Sequence, residues 1–211
     1  MTRTLKSKDF AGDALEVARR LIGATLLVDG VGGVIVETEA YDMSDAAAHT
    51  HRGPTERNRA MFGPPGHAYI YLIYGLHWCL NLVTGPAGFP AAVLLRALEP
   101  LEGLDRMRAL RPAARKDTLL ASGPARLCQS LAVDGSLNGA DVCQPAGEVW
   151  VEDRGLPRRR IVTAPRIGVD YAGAWASKPY RFLDASSFHV SIRAPDGRCG
   201  SLRRARSVRA V

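Results

Sequence analysis

The sequence predicts a mixed α/β protein that folds as a single domain. Residues 9–22 place apolar side chains at the three- and four-residue spacing typical of a helix. Residues 24–41 and 68–83 instead predict pairs of strands joined by tight turns. The chain has 211 residues, of which 46% are hydrophobic, and no break in composition marks a boundary between two domains. Helices and strands are therefore expected to share one core.

The predicted helix over residues 9–22 is the first element of the chain. Asp9 is placed to act as its N-cap, and Gly23 is expected to end it. Two strands follow around the Asp29-Gly30 turn. Strand side chains alternate between faces, so one face of the second strand would carry Ile35, Glu37, Glu39 and Tyr41. Two carboxylates are costly to bury in an ordinary core, and we expect this face to line a polar cleft.

The middle of the chain is predicted to contain an irregular or partly helical connection over residues 42–66, followed by a β-hairpin. Tyr74 would lie at the hairpin tip, where a tyrosine gains little from burial. Alternation would place Tyr69, Tyr71 and Ile73 on one face of the first hairpin strand.

Arg96 is embedded in the apolar strand predicted over residues 90–100. A buried arginine needs an anionic partner. The strand face that bears Glu37 and Glu39 could supply one, so these three side chains are expected to lie together.

The C-terminal half is predicted to combine short helices, loops and strands. Pro124 suits the first turn of a helix over residues 122–131. Backbone N–H groups in the first turn have no partner within the helix, so proline, which has no N–H, loses no hydrogen bond there. The other predictions are a helical and then basic stretch at 102–121, loop and strand at 133–160, a glycine-punctuated loop at 166–173, a final strand at 188–193 and a frayed basic tail at 198–211.

Composition limits the compartment and the partners. No apolar run reaches the roughly 18 residues of a membrane span, and the N-terminus lacks the apolar stretch of a secretory signal. Four widely spaced cysteines without a CxxC pair predict neither a zinc site nor a disulfide framework, so a cytoplasmic protein with free thiols is expected. The net charge of +7 is concentrated in residues 101–211, which can attract nucleic acid or be a solvated basic surface.

Glu37 and Glu39 admit more than one interpretation. Paired carboxylates can act as a general base and its modulator or perform glycoside chemistry. They can also be two solvated acids on an exposed strand face. Arg96 favours catalysis, since an acid and an arginine can jointly orient a water molecule.

The tyrosines are equally open to two interpretations. Tyr41, Tyr71 and Tyr74 can stack on a nucleobase or be ordinary hairpin aromatics, and Tyr69 is expected to be a core residue. The pattern as a whole favours a pocket that grips a flat aromatic ligand and performs acid-base chemistry on it.

His49 and His51 form an HxH pair that suits hydrogen bonding better than zinc, because no cysteine or acid accompanies them at a familiar spacing. The chain also lacks a Walker motif, a GxGxxG-bearing βαβ unit and a GxSxG elbow. Nothing therefore indicates a nucleotide-driven or serine-hydrolase mechanism.

Short motifs along nearly the whole chain resemble those of the animal-type alkyladenine (3-methyladenine) DNA glycosylases, which also occur in bacteria and plants. These motifs are VETEAY (36–41), AAH (47–49), RNRAMF (57–62), YIYLIYG (69–75), CLN (79–81), LLRALEP (94–100), SGPARLCQ (122–129), RIGVDYAG (166–173) and WASKPYRF (175–182). Together they are highly specific.

The resemblance implies a base-flipping repair enzyme that cuts the N-glycosidic bond of a damaged purine in double-stranded DNA. It implies one mixed α/β domain with a curved, largely antiparallel sheet and a protruding β-hairpin. The enzyme would be a monomer without cofactor or metal. No lysine lies in the matched pocket motifs, so a Schiff-base lyase step is not expected. Lesions of the 3-methyladenine, hypoxanthine and ethenoadenine class all remain open as substrates.

The matched motifs also imply roles for individual residues. Glu39 would be the catalytic glutamate, and Arg96 with the backbone of Ile167 would help it to hold the attacking water. Tyr41 and Tyr71 would stack on the two faces of the flipped base.

Other matched residues would contact the base edge, the duplex and the DNA backbone. His49 would hydrogen-bond or pack at the base edge, and Asn81 would crowd the exocyclic amine of a normal guanine. Tyr74 would wedge into the gap in the duplex. Positions near phosphates would be Thr55, Arg57 and Arg126.

Two other classes of protein remain as rivals. A non-catalytic damage-binding protein could flip bases without cutting them, although the presence of both Glu39 and Arg96 argues against it. A metal-dependent nucleic-acid hydrolase could use His49 and His51, and activity that survives a chelator would exclude it.

Overall fold

The strands of the protein form an antiparallel sheet around which the helices and loops are arranged. The computed structural model describes residues 2–194 except Ala87 and Arg158, so the predicted basic tail at 198–211 lies outside the described residues. The strands are β1 (Arg3–Thr4), β2 (Thr25–Val28), β3 (Val31–Asp42), β4 (Ala68–Ile73), β5 (His77–Thr84), β6 (Ala91–Glu102), β7 (Val149–Asp153), β8 (Ile161–Ala164) and β9 (Arg181–Asp184). The α-helices are α1 (Ser7–Phe10), α2 (Ala14–Leu21), α3 (Leu104–Leu110) and α4 (Pro124–Ser130), and short 3-10 helices span Arg59–Phe62, Asp117–Leu119, Gly135–Leu137 and Asp170–Trp175.

β3 is the strand whose one edge pairs with two different strands along its length, first with β2 and then with β9. The strand order is β1-β7-β2-β3-β6-β5-β4, and β9 pairs with β3 beyond the end of β2 and carries β8 on its other side. Every pairing is antiparallel. Because β3 exchanges one partner for another along its length, the sheet curls. The prediction of a single mixed α/β domain with a curved, antiparallel sheet is confirmed.

The main core lies between one face of this sheet and helices α2, α3 and α4. Val17 and Leu21 of α2, Met107 of α3 and Leu127 of α4 pack there against buried side chains of the central strands. The regularly spaced apolar residues that predict α2 from the sequence therefore form the face that α2 buries in the core. None of the described helices is both long and apolar enough to cross a membrane.

Asp13, not Asp9, caps α2, because a break after α1 divides the predicted helix over residues 9–22. The Asp13 carboxylate accepts hydrogen bonds from two amides of the first turn of α2. Asp9 lies in α1 and pairs with Arg3. Gly23 follows the end of α2 with a φ of +96°, as predicted for a helix end.

A β-bulge in β3 changes which side chains share a face. The register with β6 shifts between Ile35 and Glu37. Ile35 packs in the main core, whereas Glu37 and Glu39 face the opposite side, toward Arg96. The prediction that Ile35 shares a face with the two acids is therefore wrong, since the extra residue of a bulge interrupts strict alternation.

Residues 188–193 do not form the predicted final strand, and the sheet instead includes β8 and β9, which the sequence did not indicate. The Ser191 amide donates to the carboxylate of Glu37, and the Ile192 carbonyl accepts from the Arg181 guanidinium. Buried charged side chains, rather than a neighbouring strand, satisfy these backbone groups.

The remaining elements mostly agree with the sequence. β4 and β5 form the protruding hairpin, and α4 begins at Pro124 as predicted. The α-helix predicted within residues 102–121 is limited to α3, because Pro112 disfavours the helical conformation at Arg111, and a short 3-10 helix follows at Asp117–Leu119. The three described cysteines are free and buried, and Cys199 lies outside the described residues.

Two glycines allow β3 to lie very close to its neighbours. A Cβ atom on Gly32 would lie 1.9 Å from the carbonyl oxygen of Leu26, and one on Gly33 would lie 2.1 Å from that of Glu99. Both contacts are with backbone atoms, which cannot move without separating the strands.

We predict that Gly33→Ala lowers the free energy of unfolding by about 3 kcal/mol or more, because the methyl group would displace β6. Gly30→Ala is the control, since no atom lies within 4 Å of the added Cβ. Its cost of about 1–2 kcal/mol comes only from the positive φ of Gly30. Denaturant unfolding measures both, and equal losses would contradict the close approach of the strands.

Candidate active site

A cavity of about 530 Å³ opens beside the β4–β5 hairpin. Its volume is in the range of small-molecule sites and suits a flat aromatic ligand. Seven of the residues to which the motif resemblance assigns a role line it: Tyr41, His49, Tyr71, Tyr74, Asn81, Arg96 and Ile167.

Glu39 is fully buried behind the cavity wall, and each of its polar partners lines the cavity. Its Oε1 accepts a hydrogen bond from the Ile167 amide at 2.8 Å. Its Oε2 accepts one from the Tyr41 hydroxyl at 2.8 Å and lies 3.2 Å from Nη1 of Arg96. Two hydrogen bonds and one ion-pair contact occupy three of the roughly four lone-pair positions of a carboxylate. Glu39 can therefore accept one more hydrogen bond.

Glu37 lies beside Glu39 and Arg96, but its carboxylate already accepts four hydrogen bonds. Its Oε1 accepts from Arg96 Nε at 3.1 Å, from Arg181 Nη1 at 2.9 Å and from the Ser191 hydroxyl at 2.9 Å. Its Oε2 accepts from the Ser191 amide. Glu37 is thus a structural partner of Arg96, which in turn contacts Glu39.

Arg96 has the anionic partners that the sequence predicts for a buried arginine. Burial by itself would lower the pKa of Arg96, but the charges of Glu39 and Glu37 outweigh it and raise that pKa. The guanidinium therefore stays charged beside both carboxylates.

Tyr41 forms one wall of the cavity and is fixed by contacts outside it. The guanidinium of Arg166 lies 4.6 Å from the Tyr41 ring centroid, and Arg166 is itself buried in an ion pair with Asp45. Burial, reinforced by the charge of Glu39, raises the pKa of Tyr41 well above its ordinary value. The hydroxyl therefore remains protonated and able to donate to Glu39.

His49, Tyr69 and Tyr71 form a second aromatic group on the cavity wall. Nδ1 of His49 lies 2.8 Å from the Tyr69 hydroxyl oxygen, and the rings of His49 and Tyr71 meet edge to face with centroids 4.5 Å apart. Partial burial, and then the charge of Arg57, lowers the pKa of His49, which favours the neutral imidazole. Burial raises the pKa of Tyr69 to about 12.

Asn81 lies at the cavity edge on β5, opposite Tyr69 of β4. Its amide nitrogen donates to the Tyr69 carbonyl oxygen at 3.0 Å. This hydrogen bond fixes the side chain, so Asn81 occupies a constant volume at the edge of the cavity.

Tyr74 is the outermost residue of the site. It lies at the hairpin tip with a φ of +55°, and 85% of its surface is exposed. Gly75 follows with a φ of +69°, which allows the tight turn. The turn thus holds a large apolar ring outside the fold while its inner edge still lines the cavity.

The three predicted phosphate-contacting residues are exposed and lie outside the cavity. The Thr55 hydroxyl accepts from the Asn58 amide. Arg57 donates to a carbonyl oxygen of β4 and lies 5.3 Å from the Tyr71 ring centroid. Arg126 donates to Ser122 at the start of α4. Within the described residues neither arginine forms an ion pair, which leaves both charges available.

His49 and His51 do not act together in the structure. His49 contacts Tyr69, whereas Nδ1 of His51 lies 3.3 Å from the Met43 carbonyl oxygen. Among the residues that the structure describes, no group of three or more histidine, cysteine, aspartate or glutamate side chains could hold a metal ion.

Three residues that support the site were not assigned to it from the sequence. Arg166 and Arg181 lie in the motifs RIGVDYAG and WASKPYRF, where a charge within a short, largely apolar run was the available signal. Tyr69 is buried as predicted, but it also lines the cavity and contacts His49. The signal for this second role was that Tyr69 shares one face of its strand with Tyr71 and Ile73.

Known proteins resemble this chain over most of its length. The model of the family described as Methylpurine-DNA glycosylase (MPG) matches residues 8–187. A candidate 3-methyladenine DNA glycosylase of Methanocella arvoryzae is 56% identical over 186 residues, which cover 86% of this chain and 92% of that protein. One of Nitrosospira multiformis is 49% identical over 198 residues, which cover 93% and 99% of the two chains. These matches confirm the resemblance seen in the motifs, and the chain belongs to the methylpurine-DNA glycosylase family.

Proposed function

We propose that this DNA glycosylase flips a damaged purine out of double-stranded DNA and hydrolyses its N-glycosidic bond with a water molecule activated by Glu39. The lesions would be of the 3-methyladenine, hypoxanthine or ethenoadenine class. The observation that carries the proposal is the Glu39 carboxylate, which Ile167, Tyr41 and Arg96 hold directly behind the wall of a cavity large enough for a nucleobase.

The proposed reaction breaks the bond between the purine nitrogen and C1′ of the sugar, and the electron pair leaves with the base. The sugar then develops oxocarbenium character, which the nearby Glu39 carboxylate stabilises. Water adds to C1′ while Glu39 accepts its proton. Arg96 and the Ile167 amide orient the carboxylate and the water. A cationic alkylpurine leaves as the neutral base, whereas the base of a neutral lesion leaves as an anion that takes up the proton released from the water. The products are the free base and an abasic site.

Tyr41 and Tyr71 are proposed to hold the flipped base by stacking, which contributes about 1–3 kcal/mol for each base–aromatic contact. His49, held by Tyr69, would contact the base edge, and Asn81 would restrict the space beside it. In the described chain no lysine lines the cavity, and we propose simple hydrolysis without a Schiff-base lyase step.

The exposed hairpin is proposed to open the duplex. Flipping costs a few kcal/mol and is cheapest for a damaged, poorly stacked base. Tyr74 would occupy the space that the flipped nucleotide leaves. Thr55, Arg57 and Arg126 would contact phosphates, and a monomer would suffice for these contacts.

Base release distinguishes this proposal from its rivals. Duplexes carrying 3-methyladenine, hypoxanthine or ethenoadenine are incubated with excess enzyme, and free base is measured over one turnover. We expect release of at least one lesion, with or without a chelator. Binding without release would indicate a damage-binding protein, and loss of activity on chelation would indicate a metal-dependent hydrolase.

We predict that Glu39→Gln lowers the single-turnover rate of excision by at least ~10²-fold, as for the loss of a general base. Binding to lesion-containing DNA should be retained, because glutamine keeps the shape of the side chain. Single-turnover rates and binding isotherms measure the two effects separately.

Glu37→Gln is the matched variant. It weakens the pairing of two buried arginines, so we expect it to cost stability, of the order of 3–5 kcal/mol, while the excision rate per folded molecule falls much less than for Glu39→Gln. An equal loss of excision in both variants, or a loss only at Glu37, would show that the wrong carboxylate is assigned.

We predict that Tyr74→Ser weakens excision and lesion affinity in duplex DNA, because serine cannot fill the gap left by the flipped nucleotide. The loss should be much smaller on a single-stranded substrate, which has no stack to hold open. Excision and binding on matched duplex and single-stranded oligonucleotides test this. Unchanged duplex activity would refute the role of the hairpin tip.

We predict that Asn81→Ser increases activity on normal or alkylated guanine, because the smaller side chain removes a clash with the exocyclic amine. Activity on hypoxanthine, which lacks that amine, should be kept. Base release is compared on duplexes that differ only in the target purine. A proportional loss on every substrate would make Asn81 a structural residue instead.

A further inference from the structure

A second depression, of about 490 Å³, lies beside the active-site cavity. The two share Ala47, His49 and Tyr171 as lining residues, so they adjoin across this segment. The depression continues to His51 and Arg52. We refer to it as the flanking groove. Any strand whose nucleotide enters the cavity has neighbours that lie at its rim, and the flanking groove is part of that rim.

Tyr171 separates the cavity from the flanking groove. It is 72% exposed, yet its hydroxyl donates to the Ala47 carbonyl oxygen at 3.3 Å. Val169 and Ala172, on either side of it, are buried against Ala47. These contacts hold the segment in place while the ring of Tyr171 remains largely in solvent. Apolar packing therefore does not account for the exposed ring of Tyr171.

The groove combines a small-residue floor with a positive charge. Ala46, Ala47 and Ala48 have small side chains that leave space above the backbone. Arg52 is exposed, and no ion pair neutralises it among the residues that the structure describes. A fixed aromatic ring beside a free guanidinium matches the two parts of a nucleotide, since bases stack on aromatic rings and phosphates attract arginine.

We propose that the flanking groove is a subsite for the nucleotide next to the flipped lesion in the same DNA strand. Its base leaves the duplex stack and stacks on Tyr171 instead, and its phosphate contacts Arg52. This inference rests on the proposed function, because only a strand with one nucleotide in the cavity places a neighbour over the groove. The covalent link to the lesion makes this second contact intramolecular, so even a weak site increases affinity.

A mutant cycle tests the stacking contact. Three duplexes carry whichever of the three lesions the wild-type enzyme releases fastest. Both neighbours of the lesion keep their bases in the first, and an abasic analogue replaces the 5′ or the 3′ neighbour in the other two. The ratio of wild-type to Tyr171→Ala kcat/KM is measured on each. Because both enzymes meet the same duplex, changes in duplex stability cancel in the ratio.

We expect Tyr171→Ala to reduce kcat/KM by roughly 5- to 150-fold on the first duplex, the effect of one lost stacking contact. The loss should fall to within about 2-fold on one of the two abasic duplexes, because the contact is already absent there. Tyr171→Phe keeps the ring and should stay close to wild type. Thermal unfolding checks that both variants fold.

Salt dependence tests the phosphate contact. Losing one contact with duplex DNA should reduce the slope of log affinity against log salt by about 0.9, and we expect this for Arg52→Ala. Arg106→Ala is the control. Arg106 pairs with Asp29, which lies just before the start of β3, whereas Tyr41 lies near the other end of that strand. It should leave the slope unchanged.

The outcomes separate the subsite from the function on which it rests. If the wild-type enzyme releases none of the lesions, the proposed function fails and the subsite with it. If it releases a lesion but Tyr171→Ala has no effect, or has the same effect on all three duplexes, only the subsite is overturned. An unchanged slope for Arg52→Ala would overturn the phosphate contact.

Discussion

The buried cluster of two carboxylates and two arginines is the constraint on which the site depends. Glu37 and Glu39 come from β3, Arg96 from β6 and Arg181 from β9, so three strands meet in it. Burying these charges is costly unless every one is paired and hydrogen-bonded, and here the pairing is complete. The cluster lies where β3 takes β9 as a partner, so the same contacts fix both the local course of the sheet and the position of Glu39.

Glu37 and Glu39 are chemically alike but differ in their surroundings. Glu37 accepts from two arginines and twice from Ser191, which leaves it no capacity to bind anything else. Glu39 accepts from donors that line the cavity and can still accept another hydrogen bond. The number and location of the donors, rather than the type of side chain, therefore separate a supporting acid from the proposed water-activating acid.

The cavity walls are fixed by contacts outside the cavity. Arg166 packs behind Tyr41, and Tyr69 holds His49 beside Tyr71. Walls that are already ordered lower the conformational entropy that is lost when a ligand binds. Tyr74, in contrast, projects into solvent from a tight turn, as the proposed wedge in the duplex requires.

Local patterns in the sequence were sufficient for α4, the Asp29-Gly30 and Tyr74-Gly75 turns and the pairing of Arg96 with the two acids. Motif resemblance indicated the family and seven of the residues that line the cavity. The bulge that places Ile35 on the other face, the strands β8 and β9 and the irregular backbone at 188–193 were decided only by tertiary structure. The reason is that Glu37 pairs with Arg181 and accepts hydrogen bonds from Ser191, which lie 144 and 154 residues away, and no local pattern records such distant partners.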